Sequence, residues 1–239
     1  MQSPTYFFIT SLYDNGNIKE EKWLKDDKLH NENGLALKQW YENGNIKLEE
    51  WYIEGKKHRL DGPACIERFE DGKVSTLSWY MNGVSFNSTH PSVINYSKDG
   101  TIVIKKWLQG EKLHRIDGPA YTVGRVNRSK CLISIWYKDG KIHRDDGPAY
   151  FQRTNNGKIL IKKWYLNGVI HHVGGPAILE FYPNGNTENF EWLEHGKHHR
   201  VHGPAIIKWD KNKKMIQQDW FQNGVEYRTD GPTQRRYAC

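Results

Sequence analysis

The sequence predicts an all-β protein, an elongated antiparallel β-hairpin meander built from eight repeats of 28 residues with about two strands per repeat. Three observations carry this expectation. Trp23, Trp51, Trp79, Trp107, Trp136, Trp164, Trp192 and Trp220 recur at intervals of 28, 28, 28, 29, 28, 28 and 28 residues, the mark of a repeat array. Asn-Gly and Asp-Gly pairs fall at two fixed places in each period, and these dipeptides are the strongest short-range hairpin signal. The segments between them are too short and too β-branched for helices.

Composition agrees with a thin sheet. Of the 239 residues, 37% are hydrophobic but 13% are aromatic, including ten Trp, and the mean hydropathy is −0.83. That is too little apolar material for a thick core and too many rings for disorder.

The elements can be taken in chain order. Residues 1–22 read as N-terminal capping strands, 23–220 as the array and 221–239 as a C-terminal cap, so that 1–239 is a single repeat domain. With each Trp as position 0, Gly stands at +4 (Gly55, Gly83, Gly140, Gly168, Gly196, Gly224). His stands at +7 (His30, His58, His114, His143, His171, His199), and Gly-Pro-Ala at +11 to +13 in five repeats. A two-residue turn at +3/+4 sets Trp opposite the His at +7. The second Asn/Asp-Gly pair, at +20/+21 (Asn43-Gly44, Asp71-Gly72, Asp99-Gly100, Asn156-Gly157, Asn184-Gly185), sets the Ala at +13 opposite the next Trp. Each indole then lies between a His and an Ala, a large-beside-small arrangement on the sheet. The arm from +5 to +19 is about six residues longer than its partner, so a bend is expected at Asp-Gly-Pro, where Pro removes a ladder donor. Whether the Lys-x-His-Arg piece forms a strand of its own or folds over one face stays open. At two strands per repeat and about 4.8 Å per strand, eight repeats span roughly 77 Å.

The repeat-structural residues by this reading are Trp51, Trp107, Trp136, Trp164 and Trp192, with His58, His114, His143 and His199. The Gly-Pro pairs Gly62-Pro63, Gly118-Pro119 and Gly147-Pro148 complete the set. Position +1, on the opposite face, is always aromatic or Leu, and Tyr52, Tyr80, Leu108, Tyr137, Tyr165, Leu193 and Phe221 form a candidate interaction rail. The ends depart from the pattern: the first repeat has Asn31, Asn33 and Leu35 in its loop, the third has Phe86 and Ser88-Thr89-His90-Pro91, and the last has Tyr227 for His. Such departures are what capping of an array requires.

At W-x-x-N-G-K-x-H-R-x-D-G-P-A the sequence resembles the MORN-repeat family, and more closely the longer HRxDGPA variety found in proteins of giant DNA viruses of amoebae. The resemblance covers Trp23 to Thr233. It implies a scaffold or adaptor, often self-associating and sometimes contacting anionic lipid, with no enzyme activity of its own. A viral origin implies a structural or host-interaction role, in host cytoplasm or virion.

The remaining function classes are weighed on the residues. A His column stepping by about 9.6 Å cannot converge on one ion, so no metal site is expected; the local group His195, His198, His199 and His202 allows at most adventitious binding. Cys65, Cys131 and Cys239 form no CxxC pair, which argues against a disulfide framework and for a reducing compartment. No GxSxG occurs, and the His-Arg-x-Asp block recurs too often for an active site, so neither catalytic residues nor cofactors are expected. The N-terminus lacks a signal peptide and no segment is long enough to span a membrane, which predicts a cytoplasmic, non-secreted protein. The net charge of +7 and the +8 column Arg59, Arg115, Arg144, Arg200 and Arg228 permit an anionic lipid or nucleic acid as partner. Against this, the Arg are set to pair with the Asp two residues on, as in Arg59/Asp61, Arg115/Asp117 and Arg144/Asp146. The expected function is therefore a non-enzymatic scaffold that binds an unidentified protein partner and forms a homodimer, with peripheral lipid or nucleic-acid binding as the alternative.

Overall fold

A computed structural model describes residues 4–85, 89–124 and 132–227, and the backbone of 234–236. Phe86, Ser88, Cys131, Arg228 and Cys239 lie outside the described residues. The fold is all-β. Among the described residues no helix is long and apolar enough to cross a membrane. The chain forms two compact units, Met1–Lys112 with Arg125–Asn127, and Leu113–Gly124 with Arg128–Cys239.

Each unit is an antiparallel meander whose strands pair in chain order. In the first, Tyr6–Leu12, Ile18–Lys25, Leu37–Trp40, Ile46–Glu50, Cys65–Arg68, Val74–Ser78, Val93–Tyr96 and Ile102–Lys106 succeed one another across the ladder. In the second the order is Tyr121–Val123, Ile133–Ile135, Tyr150–Arg153, Ile159–Lys163, Ile178–Phe181, Thr187–Glu191, Ile206–Trp209, Met215–Asp219 and Gln234–Arg236.

Two strands per repeat thus belong to the ladder, as the period predicts. Each inner repeat adds a separate two-residue hairpin, for example Tyr52–Ile53 against Lys56–Lys57 and Tyr165–Leu166 against Val169–Ile170. The chain leaves the ladder at the Trp and re-enters it at +14. Two hydrogen bonds close this excursion: the His58 N–H donates to the Trp51 carbonyl and the Trp51 N–H to the Ala64 carbonyl, both at 3.0 Å. Each Trp backbone therefore lies between the His and the Ala of its own repeat, while the preceding repeat's Ala bonds the residue before the Trp, as the Ala36 N–H does the Glu50 carbonyl. Ala36, Ala64, Ala120, Ala149, Ala177 and Ala205 are 0% exposed, and Ser92 takes the same place in the third repeat. Only a one-carbon or hydroxymethyl side chain fits where the ladder passes beneath its own loop.

The two turns of each repeat differ in kind. At +3/+4 both central residues have positive φ, as at Asn82 (51°) with Gly83 (81°) and Asp139 (51°) with Gly140 (80°), the geometry of a two-residue type I′ loop. At +20/+21 only the Gly is positive, as at Gly44 (83°) and Gly72 (83°). There the Tyr41 N–H bonds the Asn45 carbonyl and the Gly44 N–H the Tyr41 carbonyl, and the register shifts at the adjoining Gln39/Trp40 step. The expected two-residue turn is a type I turn closed by a glycine bulge. The dipeptide is the same in both places; the extra residue in the flanking arm decides which turn forms.

Candidate functional site

The repeated feature with the most chemistry is the hairpin and the loop after it. Successive hairpins are stapled by the column of His side chains. The backbone N–H of the left-handed +3 residue donates to Nδ1 of the preceding repeat's His: Glu54 to His30 (3.0 Å), Asn82 to His58 (3.2 Å), Asp139 to His114 (3.1 Å), Asn167 to His143 (3.0 Å), His195 to His171 (3.1 Å) and Asn223 to His199 (3.2 Å). A backbone bond from the +4 Gly to the previous +6 carbonyl runs beside it, as from Gly83 to Lys57. The His is an acceptor that satisfies a donor exposed by the tight turn, which is a stronger reason for its recurrence than packing against Trp. The far edge carries its own staples. Tyr13, Tyr41 and Tyr182 donate from Oη to Trp40, Arg68 and Trp209 carbonyls, and Asn17, Asn45 and Asn186 donate from Nδ2 to Glu42, Glu70 and Lys211 carbonyls, in each case one repeat on.

The Arg-x-Asp-Gly-Pro segment folds back over the indole, which settles the open question: the Lys-x piece before the His is a strand and the remainder is a lid. The Arg59 guanidinium lies 3.9 Å from the Trp51 ring centre, Arg144 4.4 Å from Trp136 and Arg200 3.8 Å from Trp192. From the same position Nε of Arg59 reaches Asp61 (2.8 Å) and Nη1 reaches the Pro63 carbonyl (3.3 Å). Arg115 and Arg144 pair with Asp117 and Asp146 at 2.8 and 2.7 Å. These bonds hold the carboxyls of Asp61, Asp117 and Asp146 below the ordinary aspartate value. Where Arg is absent another side chain takes its seat. His172 stacks on Trp164 at 4.7 Å and 11° and bonds the Pro176 carbonyl, while Asn31 bonds the Leu35 carbonyl and the Asn33 N–H.

The Gly before Pro makes room for the side chain of this lid, closely at Gly62, Gly118 and Gly175 and less so at Gly147. Gly62, Gly118, Gly147 and Gly175 have no positive φ. A Cβ would stand 3.0 Å from the Arg59 Cζ at Gly62 and from the Arg115 Cζ at Gly118, and 2.8 Å from His172 Cε1 at Gly175. The bend expected at Asp-Gly-Pro is there, and the Gly in it permits a close approach of the side chain above. Pro63, Pro119 and Pro148 are half-buried beside the fully buried Ala.

The rail is not an open surface. Tyr52, Tyr80, Leu108, Tyr137, Tyr165 and Phe221 are half-buried and Leu193 is buried. The +6 residue of the preceding repeat covers the ring, as Lys57 does over Tyr80 and His198 against Phe221. Burial and a hydrogen bond to Glu50 push the Tyr52 phenol up to about 12, and burial raises Tyr137 and Tyr165. Large apolar side chains are exposed elsewhere: at +9, on the tips of the lids, in Leu60 (78%), Ile116 (92%), Val173 (68%) and Val201 (54%), along Tyr6–Leu12, and in the small hairpins, as at Val84, Val169 and Val225. Sequence reasoning passed over +9 because its chemistry alternates, with Glu32 and Asp145 in the same column.

Other chemistry is engaged. Glu50, buried, binds Lys57 at 2.6 Å and Tyr52 at 2.9 Å, and burial beside Glu50 pushes the Cys65 thiol up to about 12, which leaves it unreactive. His198 pairs with Glu191 (2.7 Å), His199 faces Asn223 and His195 stacks on His171, so the local His group diverges. Among the described residues no group of three or more His, Cys, Asp or Glu is placed to hold a metal ion. A cleft of about 520 Å³ lies between two adjacent lids, bounded by Arg115, Asp117, Trp136, Tyr137, Arg144 and Asp146, and both of its Arg are already paired. Comparison with protein-family models and with curated proteins finds no match to this chain.

Proposed function

We propose that the chain is a non-enzymatic repeat scaffold of the MORN-like kind that its W…HRxDGPA unit resembles, acting through protein contacts and self-association. A viral structural or host-interaction role belongs to the same proposal. The observation that carries it is the strand Tyr6–Leu12. All seven of its side chains, YFFITSL, are exposed. Among the described residues it pairs on one side alone, with Ile18–Lys25. It contains no charge, Pro or Gly, so it lacks the devices that blunt an edge strand. An antiparallel second copy centred on Ile9 would continue the ladder and set Phe8 against Thr10, uncharged against uncharged. The pairing of Arg59, Arg115 and Arg144 with Asp61, Asp117 and Asp146 supports this reading over one based on anionic lipid or nucleic acid.

Size-exclusion chromatography with light scattering tests the proposal. The expected result is a dimer that Ile9→Lys converts to monomer. Since Ile9 is exposed, the variant keeps its fold, which circular dichroism checks. A wild-type protein that stays monomeric at high micromolar concentration, or an Ile9→Lys dimer, overturns the self-association. Binding to anionic vesicles that falls steeply with salt would favour the lipid alternative.

A further inference from the structure

We propose that the junction between the repeats headed by Trp164 and Trp192 is an acid-sensitive joint, opened by protonation of the stacked pair His171 and His195. Every stapled junction uses an unprotonated Nδ1 as acceptor, and a proton there turns the acceptor into a donor. The effect of that proton differs from junction to junction with the groups beside the ring.

At four junctions the +3 side chain places an oxygen beside Nδ1. Glu54 Oε1 lies 3.4 Å from His30, Asn82 Oδ1 2.8 Å from His58, Asp139 Oδ1 3.0 Å from His114 and Asn223 Oδ1 3.0 Å from His199. That oxygen can accept the new proton, and the carboxylates also balance the new charge. His143 has no such oxygen at Nδ1, but its Nε2 meets the Asp145 carboxylate at 3.0 Å. At His171 the +3 residue is itself a His. Its ring lies 4.4 Å from that of His171, tilted by 32°, and its backbone N–H is the donor to His171 Nδ1 at 3.1 Å.

Among the described residues neither imidazole makes an ion pair. The hairpin carrying His171, Tyr165–Leu166 with Val169–Ile170, is uncharged. It is followed by His172, which is held on Trp164, and preceded by the hairpin that sets Lys141 beside Gly168. The hairpin carrying His195 has Glu194 opposite Lys197, and His198 is paired with Glu191. On the next junction His199 faces Asn223.

Histidine changes charge between about pH 5 and 8. On acidification this junction loses a hydrogen bond with the first proton and gains a like-charge contact with the second, whereas four of the others keep an acceptor for the added proton and at His143 the Asp145 carboxylate balances its charge. The parallel bond from Gly196 to the Ile170 carbonyl, 2.9 Å, is the one that loosens with it.

Hydrogen exchange read at the Gly196 amide, at about pH 7.5 and about pH 5.5 and corrected for the intrinsic rate, tests the joint. Wild-type protection is expected to fall about tenfold or more, the loss of one hydrogen bond's worth of closure, while Gly83 and Gly224 at the compensated junctions hold. His195→Asn, which restores the residue found at Asn82, Asn167 and Asn223, is expected to keep Gly196 protected at both values. Equal loss at all three glycines, no loss at Gly196, or the same loss in His195→Asn overturns the proposal.

Discussion

Replacing Gly175 by Ala probes whether the glycine of the lid serves the backbone or the side chain above it. Gly175 has no positive φ, so on backbone grounds Ala should stabilise by about 0.4–1 kcal/mol through the unfolded chain. The added Cβ would stand 2.8 Å from His172 Cε1 and 3.1 Å from its Nδ1, closer than packed atoms come. His172 must then leave its stack on Trp164 and its bond to the Pro176 carbonyl. The stack contributes about 0.5–1.5 kcal/mol and the hydrogen bond about 0.5–1.5 kcal/mol. Set against the backbone gain, the net effect is a destabilisation of about 1 kcal/mol. With His172 already removed the obstacle is gone, and Gly175→Ala should stabilise the His172→Ala protein. The effect changes sign across the cycle. At Gly147 the nearest Arg144 atom is 3.4 Å away, an ordinary contact, so Gly147→Ala should be neutral or stabilising. Urea unfolding of the four members of the cycle, with local hydrogen exchange in the 164–177 segment, measures this coupling. If Gly175→Ala costs the same with and without His172, the glycine is there for the chain path and the reasoning fails.

Other features carry expectations of their own. Ala149→Leu, at a fully buried site beneath the loop, should destabilise by about 1–3 kcal/mol from overpacking, while Ala149→Ser, the residue standing at Ser92, should fold normally; thermal melts distinguish them. Lys213 holds φ 69° at the position that Gly44, Gly72, Gly100, Gly157 and Gly185 occupy in their repeats, so Lys213→Gly should raise stability by up to about 1 kcal/mol in urea titrations. The hydrogen bonds from His198 and Asn189 hold the Glu191 carboxyl below the ordinary glutamate range. A depressed folded value means the contribution is complete above the unfolded value of about 4.3 and is lost as pH falls from there through the folded value. Glu191→Gln should therefore flatten the acid limb below about pH 4.3 in pH-dependent melts. A variant retaining Cys65 as its one cysteine should react with a thiol reagent at the rate of unfolding, since the thiol is buried and raised to about 12.

The ladder was legible from spacing alone, because a Trp every 28 residues and two turn dipeptides fix where strands begin and end. The turn class was not. Asn82-Gly83 and Asn43-Gly44 are the same dipeptide, and the choice between a type I′ turn and a bulged type I turn is made by the register of the arms. The Arg–Asp pairing was readable because the partners are two residues apart. The roles of His58 and Gly62 were hidden, since their partners, the Asn82 N–H and the folded-back Arg59, come together only through the tertiary path. The rail misled for a related reason. Alternation tells which side of a strand Tyr80 faces, but it cannot show that Lys57 of the preceding repeat will lie across it.

The staples also bear on how such a chain changes length over generations. Each junction joins fixed positions of neighbouring units, +3 and +4 of one to +7 and +6 of the other, and no residue is shared between non-adjacent repeats in this pattern. Unequal recombination that removes or duplicates a whole period, such as 164–191, rejoins a His to a turn amide of the same kind it held before. A single-residue change of phase is accommodated between the paired positions, as in the 29-residue interval from Trp107 to Trp136 where Asp139 still reaches His114, whereas one within a hairpin turns the His away from its amide. Whole-period gain and loss is therefore a path that selection can tolerate, and divergence within a period accumulates at the lid tips, where +9 already ranges from Ile116 to Asp145.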